Sequence, residues 1–152
     1  MKNKIALLIT VGLFLVIISA CGAKATATPA VDVARPSNPG GTGDAVNMTG
    51  DAANGAVVFQ TYCVACHGAE GVGGVENTGS DDGTVPELNP IDSTLVSKDF
   101  TVFASNLDLF VQHGSTPAGS SPAKSMPAWG DQNLLTQQQI ADVIAYVISL
   151  NK

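Results

Sequence analysis

The residues of this chain best suited by type and spacing to do chemistry are Cys63-Val64-Ala65-Cys66-His67. Two thiols spaced this way can each bond one of the two vinyl groups on a porphyrin edge. A histidine directly after the second thiol can swing beneath the ring and bind its iron. Cys-x-x-Cys-His is the pattern of covalent haem c attachment. Other uses of paired cysteines fit less well. A thioredoxin-like pair belongs in a βαβ setting beside a strand, and no such pattern surrounds this one. A zinc site needs a second pair of ligands, and only His113 is left over. A plain Cys63–Cys66 disulfide leaves His67 unexplained.

Helices must hold these three residues. Upstream, Asp51 can cap a helix that carries Gly55, Phe59 and Tyr62 into the motif. The clearest helix comes last. Thr136 and Gln139 form a capping box, and Ile140, Val143, Ile144, Val147 and Ile148 then repeat on one face. A third helix is expected around Thr101 to Gln112, with Phe103, Leu107 and Phe110 recurring and Gly114 as its C-terminal cap. His113 at that end favours the helix dipole without any ligand role. The Gly-, Asp- and Asn-rich region from Glu70 to Ser97 reads as irregular loop, and no substantial sheet is expected.

From Gly55 to Cys63 the sequence resembles the first helix of class I cytochromes c, where Gly-x-x-x-Phe/Tyr precedes the attachment site; Gly68 after His67 fits as well. The resemblance covers about Asp51 to Lys152. It implies an all-α fold of about three to five helices around one covalent haem c. The first and last helices would cross, with Val143 and Tyr146 meeting Gly55 and Phe59. His67 would be one axial iron ligand. Of the three methionines, Met1 lies in the leader and Met48 in a linker, while Met126-Pro127 resembles the family's Met-Pro segment before the last helix. Met126 is therefore the expected second ligand, with His113 as the alternative. Pro86-Glu87-Leu88 matches the family's Pro-x-Leu, whose proline carbonyl orients the ligating imidazole. Trp129 is a candidate for a hydrogen bond to a haem propionate, or a core aromatic.

The N-terminus supplies an address. Lys2 and Lys4 precede an apolar run from Ile5 to Ile18, slightly short for a spanning helix but suited to an export signal. Ile18-Ser19-Ala20-Cys21 looks like the lipobox of bacterial lipoproteins, in which the cysteine is acylated and becomes the mature N-terminus. Three segments are expected: a signal peptide over 1–20, a lipid-anchored Pro/Gly/Ala/Thr-rich linker over 21–50, and a cytochrome c domain over 51–152. As free coil the linker would span roughly 30 Å; alternatively it lies ordered along a partner.

Charge narrows the partners. Thirteen acidic residues face seven basic ones, and Lys2 and Lys4 depart with a cleaved signal. Nucleic acid is excluded as a partner, because phosphate contacts need clustered Lys and Arg. The acidic surface suits a redox partner with a positive patch, or serves solubility alone. The expected function is single-electron transfer at the extracytoplasmic (periplasmic) face of a bacterial membrane, by a carrier rather than an enzyme. Lipobox, linker and single haem domain together resemble the mono-haem lipoprotein subunit of alternative complex III, a quinol-oxidising assembly. The competing reading is a haem enzyme or gas sensor with an exchangeable distal ligand.

Overall fold

The computed structural model describes residues 40–152; the expected signal, Cys21 and linker residues 22–39 lie outside them. Among the described residues are four helices, two short 3-10 turns and two isolated antiparallel bridges. The all-α class I cytochrome c arrangement expected from the sequence is the one observed. No helix among them is long and apolar enough to cross a membrane.

Helix α1 (Ala52–Tyr62) starts where Asp51 accepts the backbone N–H groups of Ala53 and Asn54, which would otherwise have no partner in the first turn. A four-residue helix, α2 (Val64–His67), follows directly. Helix α3 (Phe100–His113) is capped by Asp99 and ends at Gly114, whose φ of 70° is left-handed and disfavours other residues. Helix α4 (Gln137–Leu150) carries the full Thr136–Gln139 capping box.

The core follows from the apolar stripe of α4. Ile140, Val143, Ile144, Val147 and Ile148 are all buried, together with Phe59 of α1 and Phe103 and Leu107 of α3. Each such side chain contributes about 1.5–3 kcal/mol when fully buried. Helices α1 and α4 cross at Gly55, where an added Cβ would meet the Asp142 carbonyl and Tyr146 Cβ. The nearest neighbours of Gly55 are thus Asp142 and Tyr146 rather than Val143, which turns into the core. Phe59 and Tyr146 pack with ring centroids 5.3 Å apart.

The last residues of the expected linker are fastened to the domain. Gly43 N–H donates to Asp108 at 2.7 Å, Ala45 N–H to Gln137 at 2.9 Å, and Asp51 N–H to Asp142 at 2.8 Å. Ala45 itself belongs to the core. The backbone N–H groups of Gly43, Ala45 and Asp51 are thus satisfied by side chains of α3 and α4, which gives this unpatterned stretch a fixed place.

Candidate functional site

The junction of α1 and α2 brings the chemistry together. The N–H groups of Cys66 and His67 both bond the Cys63 carbonyl, at 3.1 and 2.9 Å, so both thiols and the imidazole share about one helical turn. Gly68, with φ 74°, then reverses the chain. Two bonds fix the reversal: Gly73 N–H to His67 O at 2.8 Å and Leu88 N–H to Gly71 O at 2.7 Å. The result lays the Pro86 carbonyl 3.1 Å from His67 Nδ1. A carbonyl only accepts, so Nδ1 carries the hydrogen and Nε2 presents its lone pair.

Electrostatics separates the possible uses of this turn. Burial, reinforced by the neighbouring Cys66, pushes the Cys63 thiol up to about 11. A dithiol oxidoreductase needs the opposite, a thiolate stabilised near neutrality. Burial also holds the His67 imidazole below its ordinary range, with the Pro86 carbonyl opposing it. Neutral imidazole is the form that binds metal. Among the described residues no three His, Cys, Asp or Glu side chains converge as a metal-ion cluster.

The other singled-out residues fall in two places. Met126 is half-buried in the loop after α3, its backbone paired in both directions with Ser115 at 2.8 and 3.1 Å. Three residues later, Trp129 stands edge-on to Tyr62 with ring centroids 5.7 Å apart. The segment after Met126 therefore touches the residue immediately before Cys63. His113 lies elsewhere: its Nδ1 meets Asp131 and its Nε2 the Gly41 carbonyl, each at 2.8 Å. With both ring nitrogens engaged, His113 has no lone pair left to offer a metal. Cys21 is outside the described residues.

An open depression of about 520 Å³ is lined by Val72, Gly74, Val85, Pro86 and the carboxylates Asp82, Glu87 and Asp92, among others. It shares Pro86 with the site, but Cys63, Cys66, His67 and Met126 do not line it. It is a surface feature of the loop between α2 and α3.

Residues 50–147 match the family model described as cytochrome c oxidase, cbb3-type, subunit III. The chain belongs to that family. It is accordingly a mono-haem c-type cytochrome with a haem-based electron-transfer role, and its cofactor is covalently bound haem c with iron. No curated protein and no solved structure matches it. The residues of this cytochrome fit the cofactor: Cys63 and Cys66 are free thiols on one turn, and His67 is fixed with Nε2 available. Bound haem supplies one-electron cycling between ferrous and ferric iron. The chain's own part is to hold, orient and shield.

Asn77 is a site residue that the sequence pattern does not reveal. It is fully buried in the loop between α2 and α3, and its amide bonds the backbone of Lys124. An isolated polar residue in a Gly- and Asp-rich loop gives no periodic signal of burial.

Proposed function

We propose that this cytochrome is a lipid-anchored electron carrier, with haem bonded to Cys63 and Cys66 and iron held by His67 and Met126. The observation that carries this reading is the His67–Pro86 hydrogen bond beside two free thiols on one turn. The bond orients the imidazole and raises its basicity as a ligand. A Met126 thioether would favour ferrous iron and raise the potential. With His67 and Met126 both holding it, the iron would keep one ligand set as electrons come and go.

In this reading Cys21 is acylated and holds the domain at the extracytoplasmic face of a bacterial membrane. The cytochrome passes electrons between redox partners as a tethered shuttle or as a fixed subunit, such as the mono-haem lipoprotein of alternative complex III. Residues 70–92 carry six carboxylates and no Lys or Arg, which fits a partner with a positive surface.

The haem reading is tested by optical spectra of holoprotein. Unaltered protein should show a sulfur-to-iron charge-transfer band when oxidised, and Met126→Ala should abolish it. A band that survives Met126→Ala refutes the ligand assignment. Rapid CO binding by reduced unaltered protein favours the enzyme or sensor reading instead. For the anchor, Cys21→Ser should release the cytochrome from membranes. Mild detergent extraction tests the subunit reading: co-purification with a quinol-oxidising complex supports it, and recovery as a lone protein counts against it.

A further inference from the structure

The loop over residues 75–85 is connected to both proposed axial ligands. It folds back on itself through Val85 N–H to Val75 O at 2.7 Å and Asn77 N–H to Gly83 O at 2.8 Å. At one end it runs into Pro86, whose carbonyl accepts from His67. At the other stands Asn77, fully buried in a loop otherwise lined with exposed carboxylates. Its Nδ2 donates to Lys124 O at 3.1 Å and its Oδ1 accepts from Lys124 N–H at 2.7 Å. Backbone bonds flank this pair: Ala123 N–H to Thr78 O and Asp81 N–H to Ala118 O, both 2.9 Å. Met126 follows Lys124 by two residues. Its segment is thus anchored twice, to Ser115 just after α3 and to the loop over residues 75–85 through Asn77.

A buried amide is costly unless its donor and acceptor are both matched. Here both are matched to the N–H and C=O of one residue in the Met126 loop. Loops with few apolar contacts open locally without unfolding the helices beneath them. A neutral thioether on such a loop stays on iron only while the loop stays closed.

We infer that Asn77 is a positioning residue that holds Met126 on the iron, so that it decides whether the distal position is closed or exchangeable. This rests on the His67/Met126 ligation proposed above. Removing the amide leaves the Lys124 N–H and C=O without their partner and favours loop opening.

The test uses ferric holoprotein, the charge-transfer band and imidazole as the competing ligand. Asn77→Ala should keep the band at neutral pH but lose it at least about one pH unit earlier on alkaline titration. It should also bind imidazole roughly tenfold more tightly, the scale set by one hydrogen bond's net contribution. Helical circular dichroism should persist through the transition. An alkaline midpoint and imidazole affinity equal to those of the unaltered protein overturn the proposal, as does band loss coincident with helix unfolding. Met126→Ala, run in parallel, separates the two readings. If it keeps the band, the ligand assignment fails and the Asn77 role with it; if it loses the band while Asn77→Ala behaves normally, only the Asn77 role fails. Should Asn77→Ala yield no holoprotein, Asn77→Ser keeps a small neutral polar group that can pair with only one of the two Lys124 backbone groups, and should show the same changes in smaller measure. Failure of both to mature overturns the proposal in favour of a purely structural role.

Discussion

His67 and Pro86, nineteen residues apart, are joined by a single 3.1 Å hydrogen bond from imidazole Nδ1 to a backbone carbonyl. The acceptor is main chain, so what the proline contributes is stiffness: its fixed φ limits how far the carbonyl can swing. Pro86→Ala keeps the oxygen but loosens it. The expected result is weaker donation, a less basic iron ligand and a higher reduction potential. The rise should be less than about 60 mV, which is tenfold in the one-electron equilibrium. Potentiometric titration measures it, and an unchanged or lower potential contradicts the orienting role.

Gly55 offers a test of the helix crossing. In an exposed helix, Gly→Ala stabilises by about 1 kcal/mol through propensity alone. At Gly55 the new Cβ meets the Asp142 backbone carbonyl, which cannot rotate away as a side chain could. Overpacking costs about 1–3 kcal/mol and outweighs the gain. Gly55→Ala should therefore lower the urea midpoint of unfolding, whereas a midpoint that rises would mean that α1 and α4 are not in close contact.

How much of this was legible beforehand depended on how local each signal was. Asp51, Thr136 with Gln139, and Gly114 announce helix ends through contacts within four residues, and those helices formed where expected. The α4 stripe is equally local, since one face repeats every three or four positions. The fastening of residues 43–51 was not legible, because its acceptors are side chains of Asp108, Gln137 and Asp142 far along the chain. Asn77 was hidden for the same reason: its partner lies 47 residues away, in a loop with no period of its own.

Two groups, His113 and Asp108, each lose a stabilising contribution as pH rises, in different windows. Hydrogen bonding to Asp131, and next to the Gly41 carbonyl, raises the His113 pKa in the folded state. Its contribution is full below the unfolded value of about 6.5 and is lost as pH climbs through the folded one. Burial raises the Asp108 pKa, with the Gly43 N–H opposing, so the folded carboxyl keeps a proton that the unfolded chain has released. That contribution declines from about pH 4 upward. Above about pH 6.5, where His67 is neutral folded or unfolded, urea midpoints measured at successive pH values should decrease, and His113→Gln should remove that decline. A midpoint that rises across that upper window would contradict the His113 assignment.

Trp129 can be assigned by separating its ring from its N–H. The observed contact is the edge-on packing against Tyr62, which ties the segment after Met126 to the residue before Cys63. Such aromatic pairs contribute about 0.5–1.5 kcal/mol beyond their buried area. Trp129→Phe preserves a ring and should cost less than about 1 kcal/mol, whereas Trp129→Ala removes it and should cost about 2–3 kcal/mol, since the side chain is only half-buried. If packing is the whole role, Trp129→Phe leaves the reduction potential unchanged, because a ring contact carries no charge toward the iron. A potential displaced by about 60 mV, a tenfold redox preference, with stability intact would instead assign the indole N–H to a haem propionate. The two measurements on one variant thus decide between packing and hydrogen bonding, and the expected outcome is packing.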